Sequence, residues 1–194
     1  MVKLISIFLL LFLTNCKKGS LHFPTNSYPL KSAENFILLN QHGEDFDFYL
    51  NTKEKKVILL FFGYSHCPDI CISVLEKLSV VYSKLSDFEK NKVSMLFISI
   101  DPGRDNTELL KKYASRFDSN ISLLTGNMET IKKIKSNFRV IAERNEKVST
   151  QKRDGEYIHS TNLIWINSQK EILRMIPHQF HTNDLVEEIH FSLQ

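Results

Sequence analysis

The chain has 194 residues, 42% hydrophobic and 24% charged, which supplies the apolar side chains for one globular core and excludes a disordered or fibrous protein. Its 25 basic and 22 acidic residues leave a formal net charge of +3, and the cations are scattered along the chain with no stripe that could follow a phosphate backbone. Nucleic acid is therefore not expected as a partner, and the short cluster Lys53, Lys55, Lys56, interrupted by Glu54, reads as a solvated turn before a buried strand.

The N-terminus carries Lys3 and then an apolar run over residues 4–13 broken only by Ser6, the layout of a secretory signal. The run is about half the roughly 20 residues needed to cross a hydrocarbon core. Leu13-Thr14-Asn15-Cys16 resembles a bacterial lipobox, which implies cleavage before Cys16 and acylation of its sulfur. The expected organisation is a signal over residues 1–15, a lipidated tether over 16–32 containing Pro24 and Pro29, and one domain over 33–194. The domain is expected to be exported and held on a membrane, facing the periplasm.

Residues 36–50 alternate apolar and polar around Gln41-His42-Gly43-Glu44, which predicts an N-terminal β-hairpin. Residues 57–62 are a continuous apolar run of strand length, as in a central strand buried on both faces. A turn over 63–67 leads to a helical pattern from Pro68, with Ile70, Val74, Leu75, Leu78, Val81, Tyr82 and Leu85 on one side and Pro68 in the first turn. A second buried strand is predicted over 93–100, a helix over 105–117, a strand over 121–124 and a helix over 127–138. Two strands follow near 161–166 and 171–176, and a helix over 182–193 closes the chain. The polar stretch 144–156 reads as a mobile surface loop. Strands alternating with helices, then a terminal hairpin, give an α/β thioredoxin-like fold with a central mixed sheet flanked by helices.

With Cys16 assigned to lipid, the exported domain holds two cysteines, Cys67 and Cys71, in a compartment that oxidises thiols. A staple closing so small a loop adds little stability, because a disulfide's entropic effect grows with loop length. The pair sits where a buried strand meets a helix, and helix N-termini stabilise thiolates. Two sulfurs at this spacing can converge on one soft metal ion, and they can also form a redox-active disulfide. His66 reads as a rim residue, Asp69 as a first-turn acid or a group shaping the field, and Asp101, Arg104 and Asp105 as residues that fix a loop and cap the next helix. His22, His42, His178, His181 and His190 show no partner pattern and read as surface.

Phe62-Gly63-Tyr64-Ser65-His66-Cys67-Pro68-Asp69-Ile70-Cys71 resembles the signature of the Sco/SenC proteins, copper-binding assembly factors for cytochrome c oxidase. The likeness extends to Ser99-Ile100-Asp101-Pro102-Gly103-Arg104-Asp105, with Leu110, Tyr113 and Phe117 after it, and to Leu124-Thr125-Gly126. The resemblance implies a third metal ligand, His159, in Tyr157-Ile158-His159-Ser160-Thr161. It also implies copper, as Cu(I) or Cu(II), delivered to the copper-bearing subunit of the oxidase, with a thiol–disulfide reductase acting on that subunit's cysteines as the alternative. Ile158 stands where the family commonly has an acidic residue, and Ile72 where a proline is often found, so the groups that orient the imidazole are expected to differ.

Overall fold

A computed structural model describes residues 32–144 and 157–194. The expected signal, Cys16, nearly all of the tether and the 145–156 part of the expected loop lie outside these residues. In chain order the elements are β1 (Ile37–Asn40), β2 (Asp45–Asp47), α1 (Phe48–Asn51), β3 (Val57–Gly63), α2 (Ile70–Lys84), α3 (Asp87–Lys92), β4 (Val93–Ser99) and α4 (Thr107–Ala114). They continue with β5 (Ile121–Thr125), α5 (Met128–Asn137), β6 (Ala142–Arg144), β7 (Tyr157–His159), β8 (Leu163–Asn167), β9 (Ile172–Ile176) and α6 (Thr182–Ser192).

One mixed sheet runs in the order β2-β1-β5-β4-β3-β8-β9, with β3, β4 and β5 parallel and the outer pairs antiparallel. The apolar run Val57–Gly63 is buried at every position, which is what a strand covered on both faces requires, and it lies between β4 and β8. Phe61, Phe62, Phe97, Phe138 and Trp165 fill the interior around it. Burying each such ring stabilises the fold by about 1.5–3 kcal/mol. Helix α2 turns Cys71, Val74, Leu75, Leu78 and Val81 inward, the 3–4 spacing of one helical face, and packs beside α6. The sheet therefore fixes two poles: Val57 pairs with Val93 at one end of β3, and Gly63 pairs with Ser99 at the other.

The expected hairpin is present as β1 and β2, but its second arm is shorter than expected. Asp47 accepts a hydrogen bond from the Leu50 N–H and starts the one-turn helix α1, which places Phe48 in the core. Pro68 lies ahead of α2 and not in its first turn, because the helix begins at Ile70 with Asp69 as N-cap. The cap of α4 is Asn106, whose side chain accepts from Leu109 N–H. Asp105 is drawn into the interior instead. Arg144, expected to open a loop, ends β6, which pairs with β7 as a two-stranded ribbon separate from the main sheet.

Helix α3 is an addition to the expected elements, and Ser86-Asp87-Phe88-Glu89 carries its signal. Ser86 and Glu89 form a reciprocal capping box. Ser86→Ala is expected to cost about 1 kcal/mol, a fall in Tm of about 2–4 °C for a domain of this size, measurable by calorimetry.

Candidate metal centre

The chain leaves β3 at Gly63 and turns through Tyr64 and Ser65 to Cys67, whose N–H donates to the Tyr64 carbonyl. A single buried carboxylate holds this turn. Asp105, fully buried, accepts from the Ser65 N–H at 3.0 Å, from the Ser65 hydroxyl and from the Ser99 hydroxyl at 2.6 Å. Ser99 in turn accepts the Asp101 N–H at 3.1 Å, so the ends of β3 and β4 are locked together beside the cysteines. Asp105 thus fixes a loop, as its sequence position suggests, while the capping role passes to its neighbour.

Cys67 precedes α2 and Cys71 lies in its first turn, so the pair is not two positions on one helical face. The Cys71 N–H points at the Cys67 sulfur, 3.5 Å away, so Cys67 takes the place of a capping acceptor at the helix mouth. The Cys71 thiol donates to the same sulfur, and against the opposing pull of burial this bond brings Cys67 down to about 4, with help from His159 and the Cys71 and Asp69 N–H groups. The partner moves the other way: its bond to Cys67 and its own burial push the Cys71 thiol well above the ordinary thiol range. The first proton therefore leaves Cys67. Alkylation of the apo dithiol by iodoacetamide should be nearly independent of pH between pH 6 and pH 8, where an ordinary thiol of pKa about 8.5 accelerates tenfold per pH unit. A tenfold rise per unit over that range would show that Cys67 is a protonated thiol in the apo site.

Gly63 makes the approach possible. A Cβ there would lie 2.7 Å from the Cys71 sulfur, 2.7 Å from Phe97 Cε2 and 3.1 Å from Phe61 Cε1. Only a residue without a side chain lets the sulfur rest against the end of β3.

His159 arrives on β7, 88 positions after Cys71, and its Nε2 lies 3.9 Å from the Cys71 sulfur. The ribbon is pinned in three ways. Tyr157 and His159 pack edge-on to Tyr64, with ring centroids 5.4 and 5.8 Å away. The Tyr157 N–H donates to the Tyr64 hydroxyl oxygen, and the Tyr157 hydroxyl donates to Asp101, itself paired with Arg104. At its base, Ser160 N–H donates to the Ile141 carbonyl and Ile141 N–H donates to the Ser160 hydroxyl.

Strand alternation sends Ile158 outward, 65% exposed, on the face opposite His159. The imidazole is oriented by a backbone group: Nδ1 lies 2.9 Å from the Ser160 carbonyl, which can only accept. That holds a proton on Nδ1 and turns Nε2 toward the sulfurs, where the doubly protonated ring donates to the Cys67 thiolate and the neutral ring offers a lone pair to a metal ion. With Ile158 turned outward, the group that orients the ring is the Ser160 carbonyl and not a side chain of residue 158.

The ligand atoms of Cys67, Cys71 and His159 all lie within 4.8 Å of one another. Metal–sulfur and metal–nitrogen bonds of about 2.3 and 2.0 Å would place the donors of a three-coordinate ion about 3.7–4.0 Å apart, so the set closes on an ion with shifts of under about an ångström. Two sulfurs with one imidazole suit copper, the sulfurs selecting Cu(I) and the imidazole accepting both states. His66 stands outside this group, half-exposed, with Nδ1 3.0 Å from the Ser65 hydroxyl and 3.8 Å from Asp105. Two of the histidines read as surface have partners: His178 bonds the Thr161 hydroxyl at 2.9 Å, and His190 pairs with Glu89 at 3.2 Å.

A family model described as SCO1/SenC matches residues 25–194. A SCO2-like protein of Rickettsia typhi is 34% identical over 143 residues, covering 72% of this chain and 68% of that protein. The mitochondrial Protein SCO2 of Saccharomyces cerevisiae is 32% identical over 141 residues, and a mitochondrial SCO2 homolog of Danio rerio is 40% identical over 113 residues. The matches cover 72% and 57% of this chain but only 46% and 39% of those two relatives. Among solved structures, that of Bradyrhizobium japonicum ScoI with copper bound superposes with a TM-score of 0.72 at 27% identity, covering 83% of this chain and 99% of that one.

Proposed function

Because the chain belongs to the SCO1/SenC family, we propose that it holds one copper ion between Cys67, Cys71 and His159 and delivers it to the dinuclear copper site of cytochrome c oxidase during assembly. The observation that carries this reading is the convergence of two sulfurs and one imidazole nitrogen from three separate segments. Among the described residues three donors converge, and a three-coordinate copper ion can accept a further ligand from the receiving protein. The domain is exported and held at a membrane by acylated Cys16, which keeps carrier and receiver on one surface.

A second reading has its own support. A Cys67 thiolate beside a protonated Cys71 is the arrangement of a dithiol reductant. Cys67 would attack a target disulfide and release one target thiolate; Cys71 would then lose its proton and displace the second. Two electrons pass to the target, and a Cys67–Cys71 disulfide remains.

The two readings separate at His159. For a copper carrier, His159→Ala is expected to abolish metal transfer to the apo copper subunit of the oxidase. Reduction of a disulfide in that subunit should continue at close to the parent rate. Transfer that survives the substitution would exclude His159 from the carrier site and favour the reductase.

A further inference from the structure

The pole of the sheet opposite the metal centre combines three features. First, the chain preceding the described residues joins there: Ser32 bridges to Glu171, and Ala33 N–H donates to the Lys170 carbonyl at 2.7 Å, in the β8–β9 turn. That turn adjoins the Val57 end of β3, since Val57 pairs with Asn167. The seven residues of β3 put about 20 Å between this end and the Gly63 end that carries the cysteines.

Second, cations crowd the same end. Lys53, Lys55 and Lys56 precede Val57, and Lys92 precedes its partner Val93, with Lys56 N–H donating to the Lys92 carbonyl at 2.8 Å. Lys55 donates to the Asn91 carbonyl, and burial together with the Lys92 charge holds its ammonium below the usual lysine range. The acids of α3 are engaged elsewhere, Asp87 with Lys90 and Glu89 with Ser86 and His190, so Glu54 alone offsets charge within the turn itself.

Third, the elements flanking the lysines expose large apolar side chains. Leu50, one turn before Lys53, is 63% exposed, and Phe88 on α3 is 64% exposed.

We propose that this pole is a docking surface for an anionic lipid bilayer, with Lys53, Lys55, Lys56 and Lys92 on the headgroups and Leu50 and Phe88 between them. The proposal rests on the reading that the chain is anchored through its N-terminal segment; it adds that the domain lies on the membrane in one orientation, its metal centre pointing away. The exit of the chain at this pole selects the occupant, because a surface beside the root of a membrane tether meets lipid before anything else. Basic side chains near an anionic leaflet add about 1 kcal/mol each, about a fivefold gain in binding per lysine.

The test is backbone hydrogen exchange of the full chain reconstituted in vesicles of phosphatidylcholine alone or mixed with phosphatidylglycerol. The amides of residues 50–56 and 88–92 are expected to gain protection only in the mixed vesicles, and to lose it at high salt. The full-chain variant Lys53→Glu, Lys55→Glu, Lys56→Glu should lose that protection on the order of a hundredfold while remaining in the membrane fraction. Retention in both vesicles with no lipid-dependent protection would overturn the docking surface and leave the anchor intact. Failure of the chain to sediment with either vesicle would overturn both. Protection of the same amides by poly-glutamate but not by phosphatidylglycerol would reassign the surface to an acidic protein and also overturn the proposal.

Discussion

Gly63→Ala is expected to cripple metal binding without touching a ligand. The new Cβ would lie 2.7 Å from the Cys71 sulfur and from a Phe97 ring carbon, and Cys71, Phe97 and Phe61 are all fully buried, so none can retreat into solvent. Overpacking of this kind costs about 1–3 kcal/mol, a fall in Tm of about 3–10 °C here. The sulfur is the smallest of the three obstacles, and its displacement opens the donor triangle. Copper affinity should fall by about tenfold to a hundredfold, the range seen when a group that orients a metal ligand is lost. Gly103→Ala is the control, because a Cβ at Gly103 meets nothing within 4 Å. Equal copper affinity in the two variants, measured by competition with a chromophoric Cu(I) chelator, would show that the Cys71 sulfur does not rest against Gly63.

Asp105→Ala is expected to be the most destabilising single change near the site. It removes the acceptor for Ser65 N–H, Ser65 hydroxyl and Ser99 hydroxyl, and hydrogen bonds to a charged group contribute about 1.5–3 kcal/mol each. Shared losses bring the expected cost to about 3–5 kcal/mol, read as a lower urea midpoint at unchanged slope. Asp105→Asn keeps one oxygen acceptor and should lose roughly half as much. Because Ser65 is two residues from Cys67, alkylation of Cys67 should also lose its insensitivity to pH in the alanine variant. An unchanged urea midpoint would mean that the turn is held by something other than this carboxylate.

Much of the fold is legible in the sequence because its signals are local. The apolar run of β3 is read as a strand from its short length and the Gly63 turn that ends it, and α2 from its 3–4 spacing. The failures are equally physical. Asp105 and Asn106 are both good caps on paper, and only the buried hydroxyls of Ser65 and Ser99 decide that Asp105 turns inward and leaves the cap to Asn106. The β6–β7 ribbon has three-residue strands, and the outward Ile158 beside an inward His159 inverts the usual alternation, so no periodicity announces it.

The site divides along the same line. Cys67 and Cys71 stand out from their spacing and from the small number of cysteines. His159 depends on a ribbon without a local signal, 88 positions away, and enters the sequence reading only by resemblance. Gly63 gives no warning at all, since the reason for a missing side chain is visible only once the Cys71 sulfur is in place.

X-ray absorption of the Cu(I)-loaded chain, compared with Cys67→Ala and His159→Ala, reads the copper site donor by donor. One copper per chain is expected, with two sulfur neighbours and one nitrogen, one sulfur lost in the first variant and the nitrogen lost in the second. A sulfur-only shell that is unchanged in His159→Ala, or copper bound as well by Cys67→Ala as by the parent, would contradict that set of donors.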